Sequence, residues 1–206
     1  MEFQEVVRKR KMVRSFEDRP LSREIVEKLL ANAQRAPSAG FSQAYAFLVF
    51  DGKEEVQLFW SVADPERKGW STKWPDLYNA PLVVVPCSEK DVALDRYARP
   101  DKGWTDRSES HWPVPYWDID TAMAAMLILL SAVDLGLGAL FFGIFRMREL
   151  KEAFGIPERV TPIGAIAIGH PKPYDRPSPS IETVGRRPAA QVVHRGAWGR
   201  HEGGAA

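Results

Sequence analysis

Residues 118–143, DIDTAMAAMLILLSAVDLGLGALFFG, carry the reading on which the fold turns. From Asp118 to Leu135 the pattern is helical and apolar on nearly every face after the first turn. A helix of that kind is buried all round, in a large core or at a subunit interface. Gly136-Leu137-Gly138 ends it, and Ala139 to Phe142 reads as a short apolar strand. The apolar run itself, Ala122 to Val133, is broken only by Ser131. It is shorter than the about 20 residues that cross a bilayer, so it predicts no membrane span.

Outward from that stretch, helices and short strands alternate. A first helix covers Glu2 to Lys9 and ends in a basic cluster. Ser22 is a candidate N-cap for a second, with Ile25, Val26, Leu29, Leu30 and Ala33 on one face. Tyr45 to Phe50 reads as a strand bounded by Asp51-Gly52, Glu54 to Val62 as a helix, and Leu82 to Val85 as a fully buried strand. Downstream, Met147 to Phe154 is an amphipathic helix and Pro162 to Gly169 a second buried strand. Between these elements, residues 88–117 are charged and proline-broken yet hold Trp104, Trp112, Tyr116 and Trp117. So long a connection with so many indoles predicts a partly ordered cap over something. The proline-rich stretch 170–206 cannot build a core and predicts an arm laid across a neighbouring subunit. The whole, 1–206, reads as one α+β domain.

Length and composition agree with a single ordinary domain: 206 residues, 45% hydrophobic and 27% charged. Disordered, collagen-like and disulfide-stapled chains are excluded. Lys plus Arg is 28 against 27 for Asp plus Glu, which argues against a surface given over to nucleic acid. The charged start lacks the apolar core of a secretory signal, so the expected location is the cytoplasm. The single cysteine, Cys87, reads as a buried inert thiol. With it alone, and with four scattered histidines, no metal site is expected.

The chain lacks a G-x-S-x-G elbow, a Walker loop and a G-x-G-x-x-G fingerprint. Positive charge gathers in two places, Arg8 to Arg14 and Arg186-Arg187. These can converge on a phosphate through charge-assisted hydrogen bonds, or be two solvated patches, or serve as a nucleic-acid arm. Between them, Arg35 to Gln43 (RAPSAGFSQ) supplies small residues that let a flat ligand approach the backbone, with Ser38, Ser42 and Gln43 able to hydrogen-bond it.

Taken together these segments resemble the nitroreductase superfamily of FMN-dependent oxidoreductases. Arg10-Lys11-Met12-Val13-Arg14-Ser15-Phe16 stands for its opening R-R-S-x-R-x-F motif. Ala36-Pro37-Ser38-Ala39-Gly40-Phe41-Ser42-Gln43-Ala44-Tyr45 stands for A-P-S-x-x-N-x-Q-P-W. Gly136 to Gly143 looks like the flavin-ring strand, followed in order by Leu150 to Pro157, Ile166 to Pro171 and Arg186-Arg187-Pro188. The resemblance implies a mixed central sheet flanked by helices in an intertwined homodimer, with FMN bound between subunits. Arg10, Lys11 and Arg14, with Arg186 or Arg187, would hold the cofactor's phosphate, and Met12 falls among the cofactor-binding positions. Pro37, Ser38 and Ala39, with Phe41 and Gln43, would approach the flavin from the partner subunit.

The backbone of Phe142 and Gly143 would donate near flavin N5 and O4, so that no titrating catalytic side chain is needed. The implied reaction is ping-pong hydride transfer through N5 from NAD(P)H to a nitroaromatic, quinone or other conjugated acceptor. A dehydrogenase, oxidase or reductive dehalogenase of the same fold is the alternative; a non-catalytic flavin or deazaflavin binder is another. Met12 replaces the motif serine, Phe41 the asparagine, Ala44-Tyr45 the Pro-Trp, and Phe142 a frequent acidic residue. These departures make the pocket more apolar. The cap falls on the family's variable substrate-covering region, so Trp104, Trp112, Tyr116 and Trp117 are candidate substrate contacts. Trp70 and Trp74 share that ambiguity.

Overall fold

The computed structural model describes residues 1–67, 73–176 and 178–201. Trp70 and residues 203–206 of the tail lie outside them. Strands Tyr45–Asp51 (β1), Leu82–Glu89 (β2), Gly138–Phe142 (β3), Val160–Pro162 (β4) and Ala165–Gly169 (β5) form one sheet. Their order is β1-β2-β5-β3, with β4 also on β2. All four strand pairs are antiparallel. β2 and β3 point the same way, but β5 runs between them in the opposite sense. The sheet is therefore mixed only through the parallel Met12–Ala139 bridge.

Period-two alternation sends Leu82, Val84, Ile166 and Ile168 to one face and Val83, Val85, Ala165 and Ala167 to the other. Helices cover both. The first face packs on α2 (Arg23–Ala33) and α5 (Tyr116–Asp134). The second packs on α3 (Lys53–Ala63), with Leu150 of α6 (Met147–Phe154). Burial from two sides is why β2 and β5 read as continuous apolar runs. Each buried Leu, Ile or Val contributes about 1.5–3 kcal/mol. Ser22 caps α2 as its sequence predicts, its Oγ accepting from Ile25 N at 3.4 Å.

Two strand boundaries differ from the sequence reading. β2 runs on to Glu89, because Pro86, which looks like a strand end, sits inside the ladder opposite Phe47. The strand expected over 162–169 splits into β4 and β5 at Ile163-Gly164. Gly164 has φ +153°, and a Cβ there would lie 2.6 Å from Phe141 Cζ and 2.8 Å from the Phe142 carbonyl oxygen, so only glycine fits. Helix α5 is 19 residues long and apolar enough by length and composition to cross a membrane. Ala124, Ala125, Ile128 and Ala132 instead pack it into the core, while Ile119 and Met126 stay exposed at 40% and 46%.

The chain divides into two compact units, Met1–Arg176 and Pro177–Ala206. The start of the expected arm belongs to the first: Phe16 bridges Pro171, and Lys172 N donates to the Ser15 carbonyl at 2.9 Å. The second unit holds a short helix, Ser180–Val184 (α7), and a stacked His194–Trp198 pair with centroids 4.1 Å apart.

Candidate functional site

After α1 (Phe3–Lys9) the basic segment runs along the free edge of β3. Val13 N donates to the Ala139 carbonyl at 3.0 Å. Gly138 makes the approach possible, since a Cβ there would lie 2.7 Å from Val13 Cγ2. Two cavities meet at the end of β3. One, of about 770 Å³, is walled by Trp60, Asp64, Glu66, Ile144 and Arg146. The other, of about 260 Å³, is walled by Arg14, Trp74 and Leu140. Phe142, Gly143 and Phe145 line both. Together they fall in the size class of small-ligand sites.

Arg14 is half-buried, with its guanidinium 5.0 Å over the Trp74 ring and Nη1 donating to the Met12 carbonyl at 3.1 Å. Burial pulls its pKa below the usual guanidinium value, while the Asp175 charge works the other way. It stays cationic all the same. Arg10 is half-buried too, and its guanidinium makes no hydrogen bond or ion pair among the described residues. Lys11 is committed to Asp175, Nζ to Oδ2 3.0 Å. Met12 packs into both apolar clusters. The Phe142 ring stacks on Trp60 at 5.4 Å and 10°, so its side chain serves the core and leaves the backbone to the cavity. Exposed Gly143 follows the last paired residue of β3.

These observations bear on a flavin. The site offers a half-buried cation on an indole face and a strand end beside the apolar side chains of Trp60, Ile144 and Phe145. In the wall, Trp60 Nε1 is buried with no hydrogen-bond partner among the described residues. Such a donor set fits a planar anionic group.

The other expected residues gather elsewhere. Pro37 to Gln43 form a loop held by buried Asp120 of α5, whose Oδ2 accepts from Ala39 N at 2.9 Å. Ser38 Oγ accepts from Gln43 N at 2.9 Å. Burial raises the Asp120 pKa, and the Ala39 N–H partly offsets that. Phe41 stands 75% exposed. Gly40 packs against Tyr97, at the end of α4 (Lys90–Tyr97), and Tyr97 packs in turn on Trp104 and Trp112. Trp112 also meets Tyr116 and buried Trp117. The cap aromatics are thus one cluster with the 37–43 loop, and none of them lines the Phe142–Gly143 cavities. Arg186 and Arg187 lie exposed in the second unit, where Arg187 Nη2 donates to the Gln191 carbonyl at 2.7 Å.

Sequence reasoning missed Asp120, Asp175, Trp60 and Phe145. Asp120 had a signal, a carboxylate in the first turns of an otherwise apolar helix. Asp175, among prolines, had none.

A family model described as the nitroreductase family matches residues 7–170. A protein of Archaeoglobus fulgidus, provisionally named NADH dehydrogenase/NAD(P)H nitroreductase, is 30% identical over 167 residues, 79% of this chain and 82% of its own. A Cr(VI) reductase of Pseudomonas sp. is 26% identical over 192 residues, 92% of this chain and 72% of its own. The crystal structure of a nitroreductase family protein from Clostridium difficile superposes with a TM-score of 0.69 at 26% identity, covering 96% of this chain and 99% of that one.

Proposed function

The chain belongs to the nitroreductase family, and from that footing we propose that it uses NADH or NADPH to reduce a small conjugated acceptor with the help of bound FMN. One observation carries this reading: Arg14 and the Phe142–Gly143 backbone share the wall of one apolar cavity at the end of β3. The name of the Archaeoglobus relative supports a reductase that draws on a nicotinamide donor, and that of the Pseudomonas relative supports a reductase. When bound, FMN would supply two-electron hydride transfer between the nicotinamide and the acceptor, in ping-pong fashion.

The protein's part is to bind and orient. Arg10 and Arg14 hold the cofactor's anionic end. Gly143 lies in the cavity wall, where its amide would serve as a fixed donor to developing negative charge. Stacking on Trp60 fixes that backbone through Phe142. Trp60, Ile144 and Phe145 give the cavity an apolar side on which a quinone or nitroaromatic ring would lie.

The 37–43 loop and the cap aromatics lie away from this cavity in their own chain. We read them as belonging to the partner's site in an intertwined homodimer located in the cytoplasm. The exposed Phe3 and Val7 of α1, and Ile119 and Met126 of α5, supply apolar surface for that dimer.

The test is the visible spectrum of the purified protein and of its supernatant after denaturation, followed by NAD(P)H oxidation with quinone and nitroaromatic acceptors. Released FMN and turnover are expected. Tight flavin without turnover would make this a binding protein, and a colourless protein that refuses FMN would overturn the cofactor assignment.

A further inference from the structure

A third cavity, of about 490 Å³, lies between residues 40–43 and the α4 region, where Arg96 and Arg99 line it. Arg96 is structural: its Nε donates to the Gly40 carbonyl at 2.8 Å, and Nη1 and Nη2 grip Asp101 at 2.9 and 2.7 Å. Asp95 on the same wall is engaged by Arg107, Nε to Oδ1 2.7 Å. Arg99 is different. It is exposed and makes no ion pair or side-chain hydrogen bond among the described residues. The uncompensated charge at this cavity is therefore positive.

Two further features mark the place as built for a ligand. Ser42 is 8% exposed, and its Oγ is buried with no hydrogen-bond partner among the described residues. An orphaned hydroxyl of that kind is costly to bury and gains from any ligand that pairs with it. On either side of it, Phe41 and Gln43 take φ of +55° and +52°. A left-handed backbone is strained for a residue with a Cβ, and such strain gathers where ligands are held. Phe41 lines the cavity with three-quarters of its surface open. An aromatic face beside a free guanidinium suits a base joined to a phosphate.

We propose that this cavity receives the adenosine-phosphate half of the dinucleotide reductant. Arg99 meets the phosphate, Phe41 meets the base, and Ser42 gains the partner it lacks. The assignment rests on the reductase reading above, which makes a nicotinamide dinucleotide a substrate. It adds a place for the half of that molecule which does no redox chemistry. Presented to the partner's flavin by the 37–43 loop, the cavity would hold the reductant's tail while its nicotinamide lies over the ring.

The test is isothermal titration calorimetry of the full-length protein with ADP and, separately, with inorganic phosphate. ADP is expected to bind at a single site per chain and more tightly than phosphate. Arg99→Glu should weaken ADP at least about tenfold, the scale of one charge-assisted hydrogen bond. Phe41→Ala should weaken ADP while leaving phosphate unchanged. Thermal melting of both variants, each altered at an exposed position, reports that the fold is intact. The proposal is overturned by absence of ADP binding, by an Arg99→Glu protein that binds ADP like the parent, or by phosphate binding as tightly as ADP. These readouts do not depend on flavin or turnover. ADP binding without NAD(P)H oxidation would sink the reductase reading and keep the site, and the reverse result would do the opposite.

Discussion

Asp175→Ala is the most informative single perturbation of the fold around the site. The Asp175 side chain is 1% exposed. Its Oδ1 accepts from the backbone N–H of Arg14 at 2.8 Å and of Ser15 at 3.1 Å. Truncation leaves two buried donors without a partner, at about 1–3 kcal/mol each. The Lys11 ion pair adds little, because that ammonium is half-exposed and regains water when released. Relief of the carboxylate's own desolvation works in the opposite direction. A net loss of about 2–4 kcal/mol follows. Asp175→Asn keeps an oxygen acceptor and should lose about 1 kcal/mol, the charge-assisted part. Urea unfolding at neutral pH measures both. Because the same carboxylate fixes residues 11–15 beside the cavity, FMN titrated into Asp175→Ala should bind less tightly than to the parent. A loss below about 0.5 kcal/mol for Asp175→Ala would show that water satisfies those amides, and the reasoning would fail.

Gly138→Ala should destabilise the protein by about 1–3 kcal/mol in the same assay, because the new methyl meets Val13 side-chain carbons at 2.7–2.8 Å. Asp120→Asn should stabilise at neutral pH. The folded pKa of Asp120 is raised above its ordinary 3.8 by burial, so ionisation costs stability as pH rises through the folded value. The amide avoids that cost and can still accept from Ala39 N, and urea midpoints should show the gain vanish as pH falls below the ordinary value. Burial pushes the Cys87 thiol up to about 11 from 9.0. Native protein at pH 8 should therefore resist a thiol reagent that labels the unfolded chain at once, and stability should fall as pH climbs from about 9 towards about 11.

What was legible in the sequence follows from which forces are local. Ser22 as a cap, α6 over Met147–Phe154 and the burial of Leu82 to Val85 all come from periodicity and capping, which a short window contains. The break at Gly164 was not legible, since its cause is the Phe141 ring and the Phe142 carbonyl arriving from another strand. The true end of β2 was hidden by Pro86, whose missing N–H costs nothing visible until the partners of that ladder are known. At the site, motif order identified the residue types but not their company. Met12 counted as a cofactor ligand by position, yet its side chain packs into both cores. Trp104 and Trp112, substrate candidates by composition, pack on Tyr97 and line neither Phe142–Gly143 cavity of their own chain, which no composition reveals. Asp175 ties residues 161 positions apart in sequence, a distance no pattern spans.

The division of the expected ligands into two groups within one chain leads to a decisive experiment. Arg14 and Gly143 share the cavity at the end of β3, with Arg10 four residues before Arg14; Pro37 to Ala39 form the other group, in the loop whose Gly40 packs on Tyr97. Suppose each flavin site takes the first group from one subunit and the second from its partner. Arg10→Ala with Arg14→Ala then disables one group, by about 1.5–3 kcal/mol per lost charged contact, and Ala39→Trp obstructs the other. Either homodimer should retain little FMN. In a heterodimer of the two variant chains, one site receives both defects and the other receives neither. Flavin should return to half the parental content, at parental affinity. If each chain instead builds a whole site alone, every site in the heterodimer carries one defect and no occupancy returns. Differentially tagged chains, co-expressed and purified through both tags, provide that heterodimer. Released FMN per dimer then decides between one flavin and none, and a value near zero would refute the shared site.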